Sequence, residues 1–485
     1  MTIQEILSLD DDLKIIGYLR QRKTPAPDTL KLLHEWDPMF HDVMDKDKRP
    51  DSKVLKKEAW TDDKGLQHEA VYDTEPVNRI PIPLEQDITN IQTSFSVGKE
   101  PILKCTPNDE GEKDLLSVVR QVIKRNKLKY LNKKIVRSWF AEQEVAEYWY
   151  VVKDDGFWAK VLASVKSIVG LKVTPQYKLK CAIWSPFRGD KLYPHFDDAG
   201  NFDALAREYT VTDEANVTHS YFMLLTDTEV IKWDISKNFQ RVEGESFRHG
   251  FKKIPAIYMY RRETLCKKIR PIRERLEKLV SNFADCIDMH FFPKIVVEGD
   301  MENKAPIDIG KSKLIKIENG GKVYYLNWEQ TSDAVKLELD NNLNLCYTMT
   351  KTPRLSLDDL KGAGDVPSGR AFDFLFMGTQ LSVENHYEEI GEYMQRRVNF
   401  LVSAVGSMSA ALSKPSETID IDVEMQHYSL DDMAEKIKNA KDACGQPIAS
   451  QKTGILMAGL VEDAEEELKQ IQREGNTPAV ANSNS

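Results

Sequence analysis

The sequence predicts an α+β fold, because two periodicities occupy separate stretches of the chain. Residues 144–260 divide into short β-rich runs, EVAEYWYVVKD, YKLKCAIWSP, SYFMLLTD, EVIKWDIS and IPAIYMY, separated by the turn signals DDG, DDAGN and VEGE. After Arg262 apolar residues return every three or four positions, at Ile269, Ile272, Leu276, Leu279, Val280, Phe283 and Ile287, the stripe of an amphipathic helix. A third pattern starts at Ser368 and meets no proline before Pro415, which predicts the longest helix of the chain.

Taken in order, residues 1–75 are polar, with short helical stretches broken at TPAPDT and DKDKRPDS, and read as a peripheral lead-in. From Leu115 to Val136 one helical pattern is expected, and Arg120, Lys124, Arg125, Lys127, Lys129, Lys133, Lys134 and Arg137 make it the most basic stretch of the protein. The β-rich block forms a mostly antiparallel sheet. In the helix that follows, ending near His290, Lys267, Arg270, Glu274 and Lys278 face away from the apolar stripe. KIVVEG, SKLIKI and KVYYLNW make a small β insertion with Asn319-Gly320-Gly321 as a hairpin turn. A second helix covers Ser332 to Thr350 and is stopped by Pro353.

The long helix is expected over 368–413 with Ser368 as its N-cap. The C-terminal part restarts at Ser429, with Asp432 in capping-box position, and closes at Gly445. Two short helices, SQKTGILMAGL and EDAEEELKQIQRE, precede a tail of disordered composition, GNTPAVANSNS. One connector stands out. RLSLDDLKGAGDVPSGRAFDF, Arg354 to Phe374, is longer than the usual polar link of about 2 to 8 residues between packed helices, and it retains Leu355, Leu357 and Leu360.

A chain of 485 residues, 41% hydrophobic and 30% charged, can bury a large core and divides into more than one region. A net charge of −10 argues against tight binding to nucleic acid over a basic face. The six cysteines, at 105, 181, 266, 286, 346 and 444, contain no C-x-x-C pair and read as reduced thiols. The N-terminus lacks the pattern of a secretory signal. The longest apolar run, Phe400 to Leu412, is 13 residues, too short for a bilayer, which takes about 20.

Motifs that carry chemistry are weak. Gly310-Lys311-Ser312 resembles the end of a phosphate loop, but Ala305 stands where the first glycine belongs and a strand follows. Asp420, Asp422 and Glu424 share one face of a strand and are candidate ligands for a divalent metal, although alternation with Ile419, Ile421 and Val423 is also that of a half-exposed strand. His195 with Asp197 and Asp198 is a candidate acid–base cluster in what also reads as a strand-to-turn sequence. The basic helix, with Tyr130 and Trp139, has the chemistry to touch phosphate or an acidic protein surface, against the commoner role of a solvated face. No catalytic residue, metal ligand or cofactor is assigned.

The order of segments is more specific than any motif. NRIPIPLEQDITNIQTSFSVGKEPI, a helix and a β-rich region, KIPAIYMYRRE leading into a long helix, a β insertion, a returning helix, TPRLSLDDLKGAGDVPSGRAFDF and finally GQPIASQKTGILMAGLVEDAEEELKQIQRE follow one another over residues 75–475. This succession resembles the portal proteins of tailed double-stranded DNA bacteriophages, of the long-tailed phage type.

The resemblance implies a non-enzymatic homo-oligomeric ring of about twelve copies at one capsid vertex, assembled in the host cytoplasm and carried in the virion. It would be the conduit through which double-stranded DNA is packaged and ejected, without sequence specificity. Its implied partners are the terminase motor, the head–tail adaptor, and the major capsid and scaffold proteins, with no membrane. After an N-terminal segment over 1–75, the resemblance implies a wing over 76–262 that extends into the long helix 368–413 and a strand within 414–428. It further implies a stem from 263–290 and 330–352, a clip over 291–329, a tunnel loop over 353–367, a crown over 429–475 and a tail over 476–485.

Arg354, Leu357, Asp358, Asp359, Leu360 and Lys361 would then face DNA. Lys267, Arg270, Glu274 and Lys278 would form the polar face of the stem, and Lys311, Lys313, Lys316, Tyr324 and Tyr325 a docking surface on the clip. The residues leave two other readings open: a metal-dependent nuclease or packaging enzyme using Asp420, Asp422 and Glu424, and another structural or adaptor protein of the virion.

Overall fold

The computed structural model describes residues 2–57, 59–61, 65–153, 177–290, 294–298, 322–326, 332–354, 369–428, 433–445, 448–459 and 464–475. The chain is α+β and divides into two compact units, Met1–Arg354 with Thr379–Gln426, and Leu355–Gly378 with His427–Ser485.

In the first unit, α1 (Ile3–Leu7), α2 (Asp12–Leu19) and α3 (Thr29–Trp36) precede a two-stranded ribbon of β1 (Ser52–Lys57) with β4 (Val71–Glu75), continued by β2 (Trp60–Thr61) with β3 (Gln67–His68). The first twenty residues are not a solvated lead-in. Ile6, Ile15, Ile16 and Leu19 are buried in one cluster with Phe222, Leu224, Ile231 and Trp233. The acidic run that makes this stretch look polar serves the helix start: the Asp11 carboxylate caps α2 by accepting the N–H of Leu13 at 2.9 Å.

Next come α4 (Leu84–Val97), β5 (Ile102–Lys104), α5 (Glu110–Arg125) and α6 (Leu128–Glu142). The basic stretch is therefore two helices, not one. Lys127 takes the left-handed conformation at φ 52°. The break is anchored by Asn126, whose side-chain amide donates to the carbonyls of Val122 at 3.0 Å and Leu179 at 3.1 Å.

The β block contains β6 (Glu144–Lys153), β7 (Tyr177–Trp184), β8 (Lys191–Phe196), β9 (Phe202–Thr212), β10 (Thr218–Leu225), β11 (Glu229–Asp234), β12 (Gln240–Arg241), β13 (Phe247–Arg248) and β14 (Ala256–Tyr260). It forms two antiparallel sheets, one in the order β12-β11-β10-β9-β8 with β13 also on β11, the other β14-β6-β7. The interior strand β9 does not announce itself in sequence because charges interrupt its apolar run. Those charges are paired: Arg207 reaches Asp190 at 2.6 Å and Glu208 meets Arg20 at 2.9 Å.

Two helices, α7 (Arg270–His290) and α8 (Ser332–Met349), flank β15 (Lys294–Glu298) and β16 (Lys322–Leu326), which pair antiparallel. The expected strand SKLIKI and the turn at 319–321 lie outside the described residues. The long helix α9 runs Gly369–Met408 and buries Ile390, Tyr393, Met394, Val398 and Leu401 in the main core beside α5, α6 and β6. It ends before the expected residue 413. Ser409 is extended, and α10 (Ala410–Ser413) and α11 (Pro415–Thr418) fold back so closely that a Cβ on Gly406 would collide with Ser416. The strand β17 (Asp422–Glu424) then pairs with β5.

In the second unit, α12 (Met433–Gly445), α13 (Gln451–Ala458) and α14 (Ala464–Gly475) are the helices expected from sequence. Ser450 caps α13 by accepting the N–H of Thr453 at 3.2 Å, and Gly459 ends it at φ 66°.

Candidate functional site

The candidate site is built on the paired helices α7 and α8. Their apolar sides meet around Leu276 and Cys346, closed by Leu84, Ile88 and Ile269. Arg275 reaches Glu338 at 2.7 Å.

A second face of α7 is polar and covered. Residues 77–83, VNRIPIP, hold an extended segment against it, and alternate backbone N–H groups find side-chain acceptors one helical turn apart. Asn78 donates to Asp285 at 2.7 Å, Ile80 to Ser281 at 3.0 Å and Ile82 to Glu277 at 2.8 Å. Two extended residues advance about 6.6 Å and four helical residues about 6.0 Å, so the two repeats stay in step. Pro81 and Pro83 occupy alternate positions and have no N–H to satisfy.

Glu277 is the centre of a buried charge network. His41 Nδ1 lies 2.5 Å from one carboxylate oxygen, and Arg273 donates to the other at 2.8 Å and to Glu85 at 2.9 Å. Burial would raise the Glu277 carboxyl, but the hydrogen bonds from His41 and the Ile82 N–H and the charge of Arg273 hold it below its usual value. Burial dominates at Glu85 and raises it despite Arg273. Further along α7, Arg49 meets Asp285 at 2.5 Å and Asn282 at 2.7 Å, while Arg79 meets Asp51 at 2.8 Å. The segment before Pro83 is thus strapped to α7 by ion pairs and backbone bonds together.

Of the residues expected to form a polar stem face, Lys267 lies in the short turn before α7 and pairs with Glu263 at 2.9 Å, while on α7 itself Arg270 pairs with Glu274 at 2.7 Å and Lys278 is exposed. Arg354 follows α8 and turns back to it, donating to Asn344 at 3.0 Å with Asp340 at 3.7 Å. Leu357, Asp358, Asp359, Leu360, Lys361, Lys311, Lys313 and Lys316 lie outside the described residues. Tyr324 and Tyr325 belong to β16, in register with Val296 and Ile295.

The other candidates separate. Glu424 is held by Lys104 at 2.8 Å across the β17–β5 pair, while Asp420 and Asp422 are exposed, and among the described residues no three such groups gather as metal ligands. His195 pairs with Asp203 at 2.6 Å, whereas the Asp197 carboxylate accepts the N–H of Asn201 at 2.7 Å within a turn. Lys127, Lys129, Tyr130 and Lys134 are exposed on the basic helices. No helix among the described residues is long and apolar enough to cross a membrane.

Reading for periodicity missed a second row on α8. Leu337, Leu345 and Met349, at i, i+8 and i+12 on one helical face, are 62%, 48% and 50% exposed. The signal was present, since Leu337 falls off the stripe formed by Leu339, Leu343 and Cys346 that packs on α7.

No curated protein sequence matches the chain. Two solved assemblies align with it at 9% identity. The neck of an empty gene transfer agent particle, computed with C6 symmetry, covers 78% of this chain and 90% of that chain at a TM-score of 0.39. The virion of a native gene transfer agent particle covers 92% of this chain and 98% of that chain at a TM-score of 0.36. The family model for phage portal proteins of the SPP1 Gp6-like type matches residues 51–479. Its members are structural, non-enzymatic virion components that form oligomeric rings. With the match spanning nearly its whole length, the chain belongs to the SPP1 Gp6-like family of phage portal proteins.

Proposed function

We propose that the chain assembles into a ring of about twelve copies at one capsid vertex, the conduit for packaging and ejection of double-stranded DNA and the seat of the packaging motor and later the head–tail adaptor. In this reading α7 and α8 are the stem, residues 291–329 the clip that docks those partners, 353–367 the tunnel loop, 76–262 with part of α9 the wing, and 429–475 the crown. The major capsid and scaffold proteins would surround the wing.

The observation that carries the reading is the exposed row Leu337, Leu345 and Met349. Each large apolar side chain withdrawn from water contributes about 1.5–3 kcal/mol, and a single copy leaves these three wet. A neighbouring stem packed on the row supplies the missing contact. The row lies on the helix that leads into Arg354, so the surface joining copies and the loop proposed to meet DNA share one element. A chain of net charge −10 suits a conduit that lets a polyanion slide without sticking.

Leu337→Glu with Leu345→Glu tests this. The variant should keep its circular dichroism spectrum, because both residues are exposed, and lose the large species in light scattering. A variant that still sediments as the wild-type assembly would place the joining surface elsewhere.

A further inference from the structure

Among the described residues, the ribbon of β1 with β4 pairs with no other strand of its unit. Every described residue of both strands is exposed, including Val54, Leu55, Val71 and Tyr72, the last at 60%. None of the four belongs to a buried cluster among the described residues. Among the described residues the two strands pair only with each other, so both outer edges lack a strand partner. A lone two-stranded ribbon is at best marginally stable in water. Yet its base is rigid: Asp51 is held by Arg79 at 2.8 Å, and Arg49 by Asp285 on α7 at 2.5 Å.

We propose that the ribbon is an assembly arm that lies on the adjacent copy of this chain, an inference that rests on the ring reading above. Reach and charge favour a second copy. At about 3.3 Å per residue, the β1 strand from Ser52 to Lys57 spans roughly 17 Å, more than the about 10 Å between packed layers. The β1 strand carries Lys53, Lys56 and Lys57 and no acid, while β4 carries Asp73 and Glu75 and no base. Lys56 meets Asp73 across the ribbon at 3.0 Å, but no ion pair among the described residues engages Lys53 or Glu75. A head-to-tail contact between identical copies needs two different, complementary surfaces on one chain, and the ribbon's two edges differ in just this way. Lysine on an edge strand also discourages pairing of like edges.

The test uses the full-length chain with Tyr72→p-benzoylphenylalanine, assembled from a mixture of isotopically labelled and unlabelled copies. Irradiation of rings should give covalent dimers and longer ladders, with Tyr72 joined to a peptide of the other label. Crosslinks confined to one copy, or formed only to capsid protein in procapsids, would overturn the proposal. In parallel, Lys53→Glu should raise the concentration for half-assembly about tenfold; an unchanged value would also count against it. Wild-type protein is imaged alongside: if it forms no rings, the ring reading itself fails, whereas wild-type rings without crosslinks between copies refute the arm alone.

Discussion

Ile80 donates its backbone N–H to the Ser281 hydroxyl at 3.0 Å, midway along a ladder whose neighbouring rungs are Asn78 to Asp285 and Ile82 to Glu277. The ladder makes α7 dependent on a segment about two hundred residues away. Ser281→Ala leaves one half-buried N–H without its acceptor and should cost about 1 kcal/mol. Glu277→Ala strands Arg273 as well and should cost about 3–5 kcal/mol. Chemical denaturation of the two variants checks both the order and the size; equal, small losses would mean the ladder is slack.

Acid should destabilise the protein in two steps. The His386 ring packs edge-on to Trp139 at 5.9 Å and against Phe140 at 5.0 Å; burial, then the charge of Arg261, push it down to about 4 from 6.5. A histidine depressed in the folded state resists protonation there, so stability is full above pH 6.5 and falls as pH drops through about 4, by up to about 3 kcal/mol. Glu277 is a depressed carboxylate, and its contribution is lost only at still more acidic pH, below the usual carboxylate value. Denaturation curves taken from neutral pH down to well below the usual carboxylate value should show His386→Phe flattening the first step and leaving the second. A wild-type curve level over that range would contradict the assignment.

The α7 helix shows how far the sequence could be read. Its apolar stripe, Ile269 to Ile287, and the solvent-facing Arg270, Glu274 and Lys278 follow from periodicity alone. Arg273, Glu277 and Ser281 do not, because a charged residue at helical spacing reads as solvated until the segment that buries it is known. The same holds for β9, where Arg207 and Glu208 hide an interior strand. By contrast, the end of α8 was legible, since Pro353 acts on its own neighbours, whereas the helix read over SQKTGILMAGL stops at Ala458, where Gly459 turns left-handed. The break after Arg125 was not, because nothing in Asn126-Lys127 departs from helical composition and its anchor is the Leu179 carbonyl. Of the candidate site, Arg354 and the polar residues around α7 stand as sequence expectations, the row on α8 was signalled by Leu337 lying off the packed stripe but not read, and His41 needed tertiary structure.

Within the long helix, Arg397 is wholly enclosed. It donates to Glu147 at 2.8 Å and to Asn132 at 2.6 Å, joining α9 to β6 and α6. Arg397→Ala leaves Glu147 buried without its countercharge and should lower stability by about 3–5 kcal/mol, while Arg397→Met with Glu147→Leu should recover most of the loss. Thermal melts of the single and double variants measure this coupling.

The proposed tunnel loop should govern how DNA moves rather than how copies assemble. Asp358→Lys with Asp359→Lys adds about four positive charges per copy, roughly 48 around a ring of about twelve, enough to make retention of DNA strongly dependent on salt. Rings and procapsids should form normally, and packaging should slow or stall, with partial recovery at raised salt. Packaging at the wild-type rate in low salt would mean that the loop does not face DNA.

The central claim is that this chain works as a ring around an axial channel. Electron micrographs of the purified full-length protein, with mass from light scattering on the same sample, test it most directly. The account predicts end-on views with a continuous central hole and a mass of about twelve copies. A monomer peak at every concentration and salt, or closed particles without a channel, would contradict it.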